Sequence, residues 1–198
     1  MRDLAEGVRC YQRDVHPAKA ELFARLAEHH GPHTLFIGCS DARVVPELIT
    51  ASEPGELFVV RTAGNLVPAH TSGPDAVAAG VEYAVAVLGV SDIVVCGHSG
   101  CGAMTALARA QDLSGVPAVA GWLRHADASL ARTAASGDVA ALVRQNVLAQ
   151  LANLATHPPV ARGLAEHTLA LHGWVYDIAT GGVETVGAPP EVTSSAAA

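Results

Sequence analysis

The sequence has 198 residues and a formal net charge of −7, and 50% of its residues are hydrophobic while 16% are charged. This length suits one domain with a well-buried core, and the composition excludes an intrinsically disordered chain. The 12 lysines and arginines form no run, which argues against nucleic acid as a partner. No apolar stretch reaches the roughly 18 residues that a membrane span needs. The first residues contain no apolar signal segment, so we expect a cytoplasmic protein without a membrane partner.

The first half of the chain alternates helical and strand patterns. Apolar residues at helical spacing predict a helix over 18–30, which is ended by a Gly-Pro pair. The runs HTLFIG at 33–38 and ELFVV at 56–60 predict two short buried strands. Small and branched residues over 74–88 then predict a buried helix.

The second half continues this alternation. SDIVVC at 91–96 predicts a third strand, and an alanine-rich helix is expected after Cys101. Residues 137–157 predict a long amphipathic helix that ends at two prolines. LALHGWVYDI at 169–178 predicts a fourth strand, from which a turn at 180–182 leads into the short segment VETV.

Strands separated by helices predict an α/β fold, in which a mostly parallel β-sheet is flanked by helices on both faces within a single domain. We assign residues 1–180 to this domain, with an N-terminal helical arm, and residues 181–198 to a C-terminal strand and a loose tail. Ligands of such sheets bind at the carboxyl ends of the strands. Candidate functional residues should therefore lie just after the strands.

Two of the predicted strands end in potential metal ligands. Cys39 follows the first strand in the segment IGCSDAR, and His98 and Cys101 follow the third strand in GHSGCG. Parallel strands place their carboxyl ends at one edge of the sheet, so these side chains are expected to meet. Two thiolates and one imidazole are a ligand set that zinc accepts readily, with one tetrahedral position left over.

Asp41 is the natural candidate for that fourth position, two residues after Cys39. Arg43 could instead hold the Asp41 carboxylate in a bidentate pair away from the metal, so Asp41 would act as a gate. The alternative interpretation is that these cysteines and the histidine are packed core residues. For Cys10 and Cys96, packing is the interpretation that we adopt.

These motifs resemble the signature of the β-class carbonic anhydrases, in which C-x-D-x-R and H-x-x-C supply the metal ligands and an Asp–Arg pair. The resemblance extends to EPGELFVVRTAGNLVP at 53–68, to residues 80–107 and to LHGWVYDI at 171–178, and it covers roughly residues 5–180. Within the family, the chain resembles in particular the branch encoded beside cyanate-degrading enzymes. The resemblance implies a β-carbonic-anhydrase-like fold.

The family's reaction, as the resemblance implies it, is the reversible hydration of carbon dioxide to bicarbonate and a proton by attack of zinc-bound hydroxide. Its zinc ligands would be Cys39, His98 and Cys101. Asp41 and Arg43 would be the catalytic pair, with Asp41 on the metal only in a closed state. The partners would be carbon dioxide, bicarbonate and further copies of this chain, in a homodimer or larger homo-oligomer with the pocket at the dimer interface.

Four further residues are assigned to substrate binding by the same resemblance. Phe58 and Tyr83 match positions that line the substrate pocket in plant-like members, and Val60 lies on the same apolar strand as Phe58. His30 stands where those members have a glutamine that donates a hydrogen bond to the substrate. A neutral histidine can still donate one hydrogen bond, and its protonation would add a pH dependence that glutamine lacks.

Three other functions fit parts of the pattern. A related zinc hydrolase would act on carbon disulfide or carbonyl sulfide, which are linear molecules of similar shape. A non-catalytic zinc protein would use Asp41 to close a structural shell, but such a site has no use for Arg43, which competes for that carboxylate. A dinucleotide-binding domain would need G-x-G-x-x-G after a strand, and GHSGCG has a different glycine spacing.

Overall fold

The computed structural model of the chain describes residues 3–73, 75–133 and 137–187. Its internal contacts divide the chain into an N-terminal unit that ends at Gly31 and a larger unit that begins at Pro32. The predicted loose tail, PPEVTSSAAA at 189–198, lies outside the described residues.

The N-terminal unit is helical. Its first helix, α1, spans Leu4–Cys10 and begins after Asp3, whose carboxylate accepts a hydrogen bond from the Ala5 backbone N–H at 3.1 Å. A π-helical turn over Tyr11–Val15 and a 3₁₀ turn over Pro17–Lys19 lead into α2, Ala20–Glu28. The helix predicted over 18–30 is thus present but shorter.

In the described part of the larger unit, five strands form one sheet, in the order β2-β1-β3-β4-β5. The strands are β1 Thr34–Cys39, β2 Leu57–Thr62, β3 Asp92–His98, β4 Ala170–Tyr176 and β5 Val183–Val186. The first four pair in parallel, and β5 pairs antiparallel with β4. This arrangement confirms the predicted α/β fold with a mostly parallel sheet.

Burial explains why the two central strands are continuous apolar runs. Every residue of β1 is buried, and so is every residue of β3 after Asp92. Leu35 and Ile37 pack into one core cluster, whereas Phe36 packs into another with Val94. Because successive side chains point to opposite faces, both faces of the sheet must be covered.

The larger unit contains seven α-helices among its described residues, and most of them are short. They are α3 Pro46–Thr50, α4 Ala76–Glu82, α5 Gly102–Ala108, α6 Pro117–Leu123, α7 Asp127–Arg132, α8 Val139–Leu154 and α9 Pro158–Ala165. The helix predicted over 74–88 is α4, extended by a π-helical turn over Tyr83–Val87. No described helix combines the length and the apolar character that crossing a membrane requires.

The two prolines after α8 have a different role from the one predicted. The prediction ends one helix at Pro158, but α8 already ends at Leu154, and Pro158 begins α9. Proline is well accommodated in the first turn of a helix, because its missing N–H would have no partner there. A proline pair therefore marks a break between helices without showing on which side of it a helix lies.

Helix α8 crosses the sheet close to the end of β3, and Gly97 permits this approach. A Cβ atom built on Gly97 would lie 2.9 Å from Val147 Cγ2 and 3.0 Å from Val143 Cγ1. Both neighbours are β-branched and have little rotamer freedom in a helix. The absence of a side chain at Gly97 thus sets how α8 packs beside His98.

We expect Gly97→Ala to lower the free energy of unfolding by about 1–3 kcal/mol, because the added methyl group must displace α8. Gly121→Ala is the control, since a Cβ atom at Gly121, inside α6, would meet nothing within 4 Å. That control should be neutral or stabilising by about 0.5–1 kcal/mol. Urea unfolding of both variants measures the difference, and equal stabilities would contradict the packing argument.

Candidate metal centre

Three of the predicted ligands lie together at the carboxyl edge of the sheet. The sulfur atoms of Cys39 and Cys101 and a ring nitrogen of His98 all lie within 4.8 Å of one another. All three residues are buried. The register explains the meeting, because Gly38 pairs with Cys96, so β1 and β3 end side by side.

The local structure around Cys39, His98 and Cys101 brings their side chains together. Cys39 is the last residue of β1 and His98 the last of β3. The chain then turns through Gly100, whose φ of 64° is easily adopted by glycine, and Cys101 becomes the N-cap of α5. The side chain of Cys101 therefore lies at the first turn of α5.

His98 is oriented to offer a lone pair to a cation. Its Nδ1 lies 3.0 Å from the Ser99 carbonyl oxygen, which can only accept, so Nδ1 carries the proton and Nε2 is the free base. Among the described residues, His98 Nε2 is one of two buried side-chain nitrogen or oxygen atoms without a hydrogen-bond partner. A buried polar atom without a partner is costly. A metal ion would satisfy it, so this donor set fits zinc.

The thiols of Cys39 and Cys101 differ in their pKa because they lie side by side. The neighbouring Cys101 thiol lowers the pKa of Cys39 to about 4. The same contact, together with burial, raises the pKa of the Cys101 thiol. Cys96, in the interior of β3, is a different case, because burial alone raises its pKa to about 12. Cys39 therefore has the character of a metal ligand and Cys96 that of an inert core thiol.

Arg43 binds both oxygens of the Asp41 carboxylate in a bidentate pair. Arg43 Nε donates to Asp41 Oδ1 at 2.9 Å, and Arg43 Nη2 donates to Asp41 Oδ2 at 2.7 Å. These hydrogen bonds, with a third from the Arg43 backbone N–H, hold the pKa of Asp41 well below its usual range. Asp41 Oδ2 lies 3.9 Å from His98 Nε2. The carboxylate is thus ionised, adjacent to the ligand cluster and fixed by the arginine.

Arg61 is a supporting residue that the sequence analysis missed. It ends the apolar run of β2, and its guanidinium reaches three backbone carbonyls of the loop after β1. Nε donates to the Cys39 oxygen at 3.0 Å, and Nη2 donates to the Asp41 oxygen at 2.6 Å and the Val44 oxygen at 2.7 Å. An arginine at the end of an otherwise apolar strand was the available signal. Its hydrogen bonds fix the backbone that carries both Cys39 and Asp41.

Two of the predicted substrate-binding residues, Phe58 and Tyr83, lie away from these three side chains within one chain. Phe58 pairs with Leu35, four residues before Cys39, which corresponds to roughly 13 Å along the strand. Tyr83 contacts Phe58, with ring centroids 5.8 Å apart, and Val60 packs against the core. His30 belongs to the N-terminal unit, where it is exposed and follows the end of α2.

Comparison with known proteins gives the family. A family model described as carbonic anhydrase matches residues 34–183. A carbonic anhydrase of Pseudomonas aeruginosa is 57% identical and is matched over 94% of this chain and 87% of its own length. The structure of the β-carbonic anhydrase CcaA superposes with a TM-score of 0.87 at 37% identity, over 93% of this chain and 98% of that one. This chain belongs to the β-class carbonic anhydrases.

A tetrameric β-carbonic anhydrase of the ascomycete Sordaria macrospora has the same fold. It superposes with a TM-score of 0.75 at 30% identity, over 93% of this chain and 92% of that one. As a carbonic anhydrase, the protein is a zinc enzyme that interconverts carbon dioxide and bicarbonate. The predicted family, activity and cofactor are confirmed.

Replacing Arg61 should weaken metal binding although Arg61 is not itself a candidate metal ligand. In Arg61→Gln the carbonyls of Cys39, Asp41 and Val44 lose their shared donor, and we expect zinc affinity to fall about 10–100-fold, as is usual for residues that support metal ligands. Competition with a chromogenic chelator measures it. Arg144→Gln is the control, because Arg144 instead pairs with Glu184. Equal zinc affinities in the two variants would contradict the role of Arg61.

Proposed function

We propose that Cys39, His98 and Cys101 hold the catalytic zinc ion of this carbonic anhydrase, and that Asp41 and Arg43 orient the reacting water. One observation carries the proposal: a buried imidazole lone pair faces two thiol groups within 4.8 Å, beside a carboxylate that an arginine restrains. This set supplies three ligands and leaves a position for exchangeable water, as in catalytic rather than structural zinc sites.

A zinc ion bound there supplies the acidity that makes water a nucleophile near neutral pH. Asp41 stays ionised across that range, because the Arg43 hydrogen bonds depress its pKa. Its carboxylate accepts a hydrogen bond from the reacting water and so aims the oxygen lone pair at the carbon of carbon dioxide. Arg43 Nη2 also donates to the Gly100 carbonyl at 3.3 Å and thereby ties the Asp41 loop to the His98–Cys101 turn.

These contacts support an open arrangement of the gate that the sequence suggests. To reach the metal, Asp41 would have to exchange two side-chain hydrogen bonds from Arg43 for a metal bond. Its depressed pKa means that the pairing with Arg43 is fully present above the ordinary pKa of an aspartate, about 3.9, and weakens only as the pH falls through the lower folded value. Protonation of Asp41 itself therefore does not close the site near neutral pH.

Alanine variants of Cys39 and Cys96 distinguish a proposed metal ligand from a core residue. Cys39→Ala should lose zinc and carbon dioxide hydration together, whereas Cys96→Ala should retain both, since Cys96 lies in β3 away from the ligand cluster. Asp41→Asn should keep its zinc and lose about 10²-fold or more in rate, because the neutral amide lacks the carboxylate's charge and replaces one accepting oxygen with a donor. Stopped-flow hydration assays with zinc analysis provide the measurement. Full activity in Cys39→Ala would exclude the proposed ligand set.

A homo-oligomer is the second part of the proposal. Strand β2 is an edge strand with no described neighbour on its outer side, and such edges are usually covered. Leu48 on α3 is 79% exposed, and Tyr83 and Val87 are also exposed apolar residues. In the N-terminal unit the exposed apolar side chains follow a helical stripe: Leu4, Val8, Tyr11 and Val15. Apolar surface of this kind favours association with a second copy.

Association would also explain where the substrate pocket is completed. Phe58 lies roughly 13 Å along the sheet from Cys39 of its own chain, and Tyr83 packs against Phe58, but a second copy could bring both residues to the metal centre. We propose that these two residues, Val60 and His30 act in a pocket between copies, with His30 donating a hydrogen bond to the substrate. A change in the pH dependence of hydration in His30→Gln would support the role of His30, and an unchanged profile would exclude it.

Leu48→Asp should lower the molecular mass in solution. The side chain is largely exposed in one chain, so the charge should leave that fold intact while opposing any apolar interface. Val119→Asp, on α6, is the control at another exposed apolar position. Size-exclusion chromatography with light scattering measures the mass. The same oligomer in Leu48→Asp and the wild type would exclude α3 from the interface.

Two finer assignments are also proposals. The cytoplasmic location is supported by the four cysteines, all of which are free thiols, as expected in a reducing compartment. Detection of the protein outside the cytoplasm in cell fractions would exclude this location.

Membership of the cyanate-associated branch rests on the sequence resemblance. That branch would supply bicarbonate for cyanate decomposition, and a failure of the enzyme to accelerate ammonia release in a coupled assay would count against it.

A further inference from the structure

Helix α8 carries three amide side chains along one face. Asn146, Gln150 and Asn153 stand at positions i, i+4 and i+7, where side chains of a helix lie above one another. Asn146 and Gln150 are fully buried, although the other buried residues of this helix are apolar. Buried amides are retained only where they are hydrogen-bonded, so their partners indicate what they do.

Each of these three amides has a backbone partner in one segment, residues 64–67. Asn146 Nδ2 donates to the Gly64 carbonyl at 2.9 Å. Gln150 Oε1 accepts from the Val67 N–H at 2.9 Å, and Asn153 Nδ2 donates to the Val67 carbonyl at 2.8 Å. The three amides, which we call the amide ladder, therefore hold both ends of this segment against α8.

The orientation of the Asn146 amide is itself fixed. Its Oδ1 accepts from Gln150 Nε2 at 2.9 Å and from Ser129 Oγ at 3.3 Å. Two donors on the oxygen leave only the nitrogen to face Gly64. If the Asn146 amide were rotated by 180°, its nitrogen would face the Gln150 Nε2 donor and its oxygen would face the Gly64 carbonyl.

Gly64 links the amide ladder to the metal centre. Its backbone N–H donates to Cys39 Sγ at 3.4 Å, while its carbonyl accepts from Asn146. Its φ is 74°, and a Cβ atom there would lie 3.0 Å from Ala103 Cβ and 3.1 Å from Met104 Cε. The positive φ and these close contacts favour glycine at this position, and its peptide groups are held on one side by α8 and on the other by the Cys39 sulfur.

We propose that Asn146 is a positioning residue for the metal centre, which holds the Gly64 N–H on the Cys39 sulfur from the far side of the 64–67 segment. The inference rests on the proposed role of Cys39 as a zinc ligand. A hydrogen bond to a ligand sulfur withdraws charge from it and so reduces its donation to the metal. Asn146 thereby influences the sulfur–metal bond through Gly64, without itself contacting Cys39.

Cobalt substitution gives a readout that does not depend on catalysis. Cobalt(II) bound to thiolates has a sulfur-to-metal charge-transfer band, whose energy falls when a sulfur loses a hydrogen bond. We expect this band to move to longer wavelength in Asn146→Ala, and cobalt affinity to fall about 10-fold or more. Asn153→Ala is the matched control, because it removes the same side chain from the same helix face but contacts Val67 and Gln150 instead of Gly64.

A second variant covers the case in which Asn146→Ala does not fold. Asn146→Thr is close to asparagine in volume, and its hydroxyl can bond to the helix carbonyl one turn earlier instead of to Gly64. It should show the same shift of the band. An unmoved band in a folded Asn146 variant would overturn the proposal, and so would an equal shift in Asn153→Ala, since that would indicate general loosening of the segment.

The wild-type protein provides an independent check. With cadmium-113 in place of zinc, a hydrogen bond from Gly64 to Cys39 should transmit a scalar coupling between the metal and the Gly64 amide proton. Absence of that coupling would overturn the proposal even if no variant folds. Carbon dioxide hydration by the zinc-loaded wild type is measured separately. A lack of hydration would overturn the proposed function and leave the spectroscopic result on Asn146 standing.

Discussion

The site depends on the parallel pairing of β1 with β3. Because Gly38 and Cys96 are partners, the strand ends that carry Cys39 and His98 are neighbours, although these residues are far apart in sequence. The fold thereby buries two thiols and a free imidazole nitrogen in one place. Such a group is unfavourable without a cation, since ionisation of one thiol opposes ionisation of the other and the buried His98 Nε2 has no hydrogen-bond partner. A bound metal ion would remove this energetic cost, which arises because the sheet brings the three side chains together.

The surroundings of the ligands divide into two supports. On the β2 side, Arg61 and Arg43 place positive charge around the loop after β1, and this fixes its carbonyls and the Asp41 carboxylate. On the α8 side, neutral amides hold the segment whose Gly64 N–H meets the Cys39 sulfur. Charged groups lie at the exposed rim and neutral groups in the core, as the cost of burying an unpaired charge requires.

Much of this was predictable where the pattern is local. The four parallel strands, the helix over α8 and the approach of Cys39 to His98 and Cys101 follow from apolar runs and from the rule that parallel strands share an edge. The short helices α3, α6, α7 and α9 were not predicted, because fewer than three turns show little periodicity. The roles of Arg61 and Asn146 were missed for another reason: their partners are distant backbone groups, which residue type does not identify even where, as at Arg61, a charged residue in an apolar strand is conspicuous.

The sequence by itself determined the kind of chemistry, because C-x-D-x-R and H-x-x-C after buried strands specify thiolate, imidazole, carboxylate and guanidinium groups in a set that suits zinc. Only the tertiary structure decided how those groups are held. The pairing of Asp41 with Arg43, the free lone pair on His98 Nε2 and the Gly64 contact with Cys39 are set by distances and directions between elements. Hydrogen bonds depend on such geometry within a few tenths of an ångström, and a linear pattern of residues does not encode it.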